Sequence, residues 1–204
     1  MDELHLPTTG STEETLHNLD RSNAASPVNA WLKKLFRELK GWTRDILFAV
    51  ITAILIVLFV VQPVKVEGTS MLPRIVDQER IFVNRFIYHF ADIQRGDIVV
   101  FWYPKEPSKS FIKRIIGLPG DVVRIEQGKV LVNGQALRET YLAPEYLDHN
   151  SYGPERIPLD HFFVLGDHRN SSNDSRNWGL VPRRNIYGKA IFRYWPVQKL
   201  GSIE

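Results

Sequence analysis

The sequence predicts a mostly β domain carried on a single N-terminal membrane-spanning helix. Three observations carry this expectation. One long uncharged apolar run lies near the N-terminus, ILFAVITAILIVLFVV over residues 46–61. Short β-branched and aromatic runs, divided by Gly, Pro and Asn, fill the chain beyond it. Asn133–Gly134, between KVLV and QAL, is a strong two-residue hairpin signal.

The chain has 204 residues, 44% hydrophobic and 24% charged, which suits one globular domain with appendages. The net charge of +3 is too small to argue for nucleic acid, and none is expected as a partner. With no cysteine there is no disulfide, thiolate metal site or cysteine nucleophile, and the redox compartment stays open.

Residues 1–30 are polar and unpatterned, and read as a flexible tail. In the next segment Trp31, Leu32, Leu35, Phe36 and Leu39 repeat at helical spacing, with Lys33, Lys34, Arg37 and Lys40 largely opposite. That is the pattern of an amphipathic helix lying in a membrane interface, with a core-packing helix as the competing reading. No charge falls between Asp45 and Lys65, a window of about 19 residues that suits a bilayer-spanning helix. A cleaved secretory leader has a shorter apolar core nearer the N-terminus, so an uncleaved anchor is expected. Residues 31–64 are therefore assigned to the amphipathic segment and anchor, and 65–204 to the β domain. Cations crowd the N-terminal side of the run, at Lys33, Lys34, Arg37, Lys40 and Arg44. The N-terminus should face the cytoplasm and residues 65–204 the other side.

Beyond the run, RIFVNRF, DIVVFWY, FIKRII, VVRI, KVLVNGQAL, HFFVLG and KAIFRYW read as strands. FWYP (101–104) and FRYWP (192–196) place aromatics beside prolines, as core strand or as a rim in the headgroup region.

The chemistry concentrates in three places. Ser70 sits in EGTSMLPRI (67–75), nine residues after Val61 and thus within about 30 Å of a membrane surface. A serine hydroxyl needs a base. Of the six histidines, His5 and His17 fall in the tail on the wrong side of the membrane, and GxSxG and HExxH patterns are absent. A lysine serves instead if burial keeps it neutral. In SFIKRIIGLPGD (110–121), Lys113 and Arg114 interrupt an apolar run on opposite strand faces. If both faces are covered, one cation is desolvated, and only the lysine can give up its proton. Taken alone, a lysine that snorkels to water is the competing reading. The third place is GDHRNSSNDSRNWG (166–179), dense in short polar side chains that brace loops. The calcium-loop spacing fails there, and no metal or cofactor is expected.

SMLP, RGDIVVF (95–101), KRIIGLPGD (113–121) and GDHRNSSNDSR (166–176), in this order after a membrane anchor, closely resemble the type I signal peptidases. The resemblance spans residues 46–196. It implies an antiparallel-sheet catalytic domain, and hydrolysis of signal peptides after small residues at the membrane surface. Its partners would be signal-peptide-bearing preproteins and the bilayer, close to the secretion machinery. The location would be the cell membrane, or a thylakoid membrane where a cell has one. By motif position Ser70 is the nucleophile and Lys113 the general base, with Ser172 bonded to the amine. Asp174 and Arg176 match a buried ion pair near the site, and Asp167 and Arg169 match the start of the same loop. The oxyanion hole would include the N–H of Ser70.

Three positions depart from the family pattern. Arg74 stands where a threonine is usual, His168 where an asparagine is usual, and Gly68 where many members carry a hydroxyl that helps the oxyanion hole. Arg74 would place a bulky cation beside the nucleophile. A catalytically inactive relative that binds exported chains is the alternative function. A self-cleaving repressor of the SOS type is disfavoured by the apolar span and the lack of an Ala–Gly or Cys–Gly bond.

Overall fold

The computed structural model describes residues 27–203, with the side chains of 27–30 and 56–59 left outside the description. Residues 1–26 of the expected tail therefore lie outside the described residues. Helix α1 spans Pro27–Val60, so it starts inside the stretch assigned to the tail. Proline suits a first helical position, where its missing N–H costs nothing. The expected amphipathic and apolar segments form this one continuous helix. Its apolar side chains stay exposed, among them Trp31, Phe36, Trp42 and Phe48. Among the described residues no helix is long and apolar enough to cross a membrane. The expected span over 46–61 includes residues 56–59, whose side chains lie outside the description.

The chain divides into two compact units after Ile54. The second unit carries β1 (Val61–Lys65), β2 (Arg80–Asn84), α2 (Ile87–Phe90), β3 (Ile98–Trp102) and β4 (Ser110–Gly117). There follow β5 (Val122–Glu126), β6 (Lys129–Val132), β7 (Gln135–Ala136), β8 (Tyr152–Arg156) and β9 (His161–Leu165). The chain ends with α3 (Ser175–Trp178), β10 (Val181–Pro182), β11 (Ile186–Trp195) and β12 (Gly201–Ser202). One sheet has the order β1-β2-β11-β3-β4-β9-β10 with β12 on β11; the other has the order β7-β6-β5-β8. Every pairing is antiparallel.

All seven expected β runs form strands, while β1, β8, β10 and β12 were not anticipated. β1 is VQPVK, in which Pro63 argues against a strand. It sits at the sheet edge, where a residue without an N–H is tolerated. β1 thus begins at Val61, inside the stretch assigned to the anchor. Asn133 (φ 52°) and Gly134 (φ 81°) form the expected hairpin turn, with both residues in the left-handed region a type I′ turn requires.

The core falls into three clusters, around Met71, Ile75 and Ile81; around Val99, Phe101 and Ile115; and around Ile116, Val123 and Phe163. β4 contributes to the second and third, and Ile112 packs against the first. This strand therefore has side chains packed on both of its faces, and its two cations lie where water is excluded.

Candidate active site

Lys113 and Arg114 are both buried, at 4% and 3% exposure, but their surroundings differ. Arg114 is fully partnered. Its Nε and Nη2 donate to the two Asp167 oxygens (2.8 and 2.6 Å), Nη1 donates to Gly96 O (2.9 Å), and its plane lies 3.9 Å from the Tyr141 ring. A guanidinium fork matched to a carboxylate is the arrangement in which a buried charge is tolerated.

Lys113 has no carboxylate within ion-pair distance among the described residues. Its Nζ lies 2.7 Å from Ser70 Oγ and 3.0 Å from Ile112 O. The Phe111 ring is 5.4 Å away. Burial pushes its pKa down from 10.5 to about 8, with the more distant charges of Asp174 and Asp167 opposing the fall. The amine beside the hydroxyl thus loses its proton more readily than a free lysine does.

Ser70 lies in the turn after β1. Gly68 there has φ 102°, a left-handed conformation that side chains disfavour, and its N–H donates to Asp77 Oδ1 (2.7 Å). That bond lowers the Asp77 carboxyl below its ordinary value. The Gly68 N–H is thereby committed to bracing the turn. The Ser70 N–H has no acceptor among the described residues.

The loop after β9 closes on the same turn. His168 N–H donates to Ser70 O (3.0 Å), and His168 Nδ1 lies 3.0 Å from Thr69 O. A carbonyl only accepts, so Nδ1 carries the proton. Gly166 permits the approach, because a Cβ there would fall 2.5 Å from Ser70 O and 2.2 Å from Ser172 Oγ. His168, where the family pattern has asparagine, is thus bonded to the carbonyls on both sides of Ser70 N–Cα–C, those of Thr69 and Ser70.

Asp174 is fully buried. It accepts from Arg176 Nε and Nη2 (2.8 Å each) and from Gly166 N (3.1 Å), and it caps α3 through Arg176 N. The Asp174–Arg176 pair expected from the sequence is formed. Asp167 and Arg169 do not pair with each other. Asp167 takes Arg114, while Arg169 takes Glu139 and donates to Gly166 O (3.1 Å). Arg176 also pairs with Asp148. Glu139 and Asp148 were missed by sequence reasoning. They clip the segment between β7 and β8 onto the loop, yet belong to no motif and carried no signal. The expected bond from Ser172 to the amine is not formed; Ser172 Oγ is buried without a partner among the described residues.

A cleft of about 400 Å³ opens over Ser70 and Lys113, lined also by Val64, Gly68, Val100 and Phe111. Arg74 is exposed and does not line it, so the cation expected beside the nucleophile leaves the cleft unobstructed. Among the described residues no group of His, Cys, Asp and Glu is arranged to hold a metal ion.

A serine hydroxyl set against a buried amine on an antiparallel scaffold is an arrangement that a serine peptidase can use. Comparison with known proteins narrows this. The family model described as signal peptidase, peptidase S26, matches residues 39–195, and the chain belongs to that family. Signal peptidase I of Leptolyngbya laminosa is 45% identical over 165 residues, covering 76% of this chain and 79% of its own length. Probable signal peptidase I-2 of Synechocystis sp. is 40% identical over 200 residues, covering 94% of this chain and 86% of its own. A crystal structure of a signal peptidase I from Enterococcus faecalis is 32% identical with a TM-score of 0.44, covering 48% of this chain and 97% of its own.

Proposed function

We infer that this protein is a membrane-anchored endopeptidase that removes signal peptides from exported preproteins, with Ser70 as nucleophile and Lys113 as general base. The observation that carries the reading is the 2.7 Å approach of a buried Lys113 amine to the Ser70 hydroxyl. Neutral Lys113 takes the Ser70 proton as Oγ attacks the scissile carbonyl, and the Ser70 N–H faces the developing oxyanion. The Lys113 ammonium then gives that proton to the departing amine of the mature chain. A water, deprotonated in turn by Lys113, attacks the ester carbon, and the Lys113 ammonium returns the proton to Ser70 Oγ as the signal peptide is released as its carboxylate. Asp174, Arg176, Asp167, Arg169 and His168 hold the geometry, and Gly68 shapes the turn. The departures at Arg74 and His168 do not favour an inactive relative, because one lies outside the cleft and the other braces the nucleophile's turn.

The uncharged run of α1 and its upstream cations support an N-in, C-out anchor. A preprotein's apolar core held in the same bilayer would present its cleavage site in the plane of Ser70, a gain in proximity. The catalytic domain would lie outside the cytoplasm, close to the secretion machinery. The host membrane is the cell membrane, or the thylakoid membrane where one exists.

The test is cleavage of one preprotein ending in Ala-x-Ala by the full chain and by Ser70→Ala, Lys113→Ala and Lys113→Arg. All three variants should be inactive while folded, and a preprotein with Phe at the last position should resist the unaltered enzyme. Wild-type activity should rise through a pKa near 8. Substantial cleavage by Lys113→Arg would place the base elsewhere.

A further inference from the structure

A second cleft, of about 630 Å³, lies at the end of the sheet where the chain leaves α1. The Arg85 N–H donates to Val60 O, the last residue of that helix (3.3 Å), and Val61 pairs with Asn84. Arg85, Arg183 and Arg184 line this cleft, and His89 adds a fourth nitrogen base. None of the three arginines has a carboxylate within ion-pair distance among the described residues.

The arginines are set against aromatic rings. Arg85 stands 5.9 Å from the Tyr187 centroid and Arg183 stands 5.6 Å from that of Tyr88, while Trp102 and Tyr187 lie 4.9 Å apart. Arg183 is also fixed by donating to Tyr88 O (2.8 Å). Around the cleft Phe86, Phe90 and Trp102 are exposed, Phe90 at 88%.

Three guanidinium groups in one concavity, none with a carboxylate partner among the described residues, recognise a phosphate, which they can grip bidentately. The exposed rings beside them call for an apolar body attached to that phosphate. A zwitterionic headgroup would bring an ammonium that three arginines repel, and no lining side chain is a carboxylate that would receive it.

We propose that this cleft binds the headgroup phosphate of an anionic phospholipid, with the acyl chains running past Phe86, Phe90 and Trp102. The lipid fixes the rotation of the catalytic domain on the membrane surface. The inference rests on the reading that α1 carries the chain into the membrane, and is independent of the reaction at Ser70.

The full chain in a neutral detergent, studied by native mass spectrometry, should retain phosphatidylglycerol at least about tenfold better than phosphatidylcholine. In Arg85→Gln/Arg184→Gln, two exposed positions, that preference should fall to near unity. Arg124→Gln/Lys129→Gln, on the other sheet, should keep it. Equal retention of both lipids by the unaltered protein, or an unchanged preference in the Arg85/Arg184 variant, overturns the proposal. Displacement of the lipid by millimolar inorganic phosphate, or by an acidic peptide at lipid concentration, also overturns it, in favour of a free-anion or protein site. Carbonate extraction of the chain from vesicles tests the membrane reading separately. Release overturns that reading, whereas a retained protein without lipid preference overturns the headgroup site alone.

Discussion

Replacing Lys113 by methionine should abolish cleavage and yet stabilise the protein at neutral pH. Methionine matches the lysine stem in length and carries no charge to desolvate. In the folded protein the amine titrates at about 8, and in the unfolded chain near 10.5. Between these values the unfolded chain holds a proton that the folded one has lost, so stability rises with pH across that window. Below pH 8 the folded state bears the full cost, which for this gap is roughly 3 kcal/mol. Methionine removes that cost and with it the contacts to Ser70 Oγ and Ile112 O, each worth about 1 kcal/mol net. The two stability curves should therefore cross. The variant should be more stable by about 1–2 kcal/mol at pH 7 and less stable by a similar amount near pH 11. Urea unfolding followed by tryptophan fluorescence in one fixed detergent measures both ends. A stability difference that stays constant between pH 7 and pH 11 would refute the account of Lys113 as a desolvated amine.

Three further outcomes follow from the loops around it. Gly166→Ala should lose most activity and at least about 2 kcal/mol of stability, because its Cβ would meet the Ser70 carbonyl at 2.5 Å; a variant cleaving at the wild-type rate would count against the close approach. His168→Asn should retain cleavage, since its amide can donate to Thr69 O, while His168→Leu should lower kcat with little change in KM; equal rates for the two would remove the donor from the argument. Arg114→Ala should cost about 3–5 kcal/mol in urea unfolding, because it strands Asp167 without a partner in a buried site; a loss below 1 kcal/mol would refute that.

Much of this protein was legible in the residues. Seven strands followed from β-branched and aromatic runs, and Asn133–Gly134 marked its hairpin, because strand propensity and left-handed turns are local properties. Ser70 and Lys113 were singled out from the family's motifs and from the chemistry of a lysine amid apolar residues. β1 was hidden because its proline is tolerated only at a sheet edge, and edges are assigned by the assembled sheet.

The sequence by itself determined which side chains could do the chemistry and the local segments that carry them. The tertiary structure decided which of them meet. Lys113 and Arg114 are neighbours of opposite fate, and the difference lies 53 residues away in Asp167, which takes the guanidinium and leaves the amine without a carboxylate partner among the described residues. Ser70 comes within reach of Lys113 across 43 residues, and His168 closes on Thr69 across 99. Arg169 finds Glu139 in a segment that no motif marked, and Ser172 makes no bond to the amine it was expected to meet. Desolvation and pairing depend on what the other strands and loops bring alongside, and spacing within one segment contains no record of that.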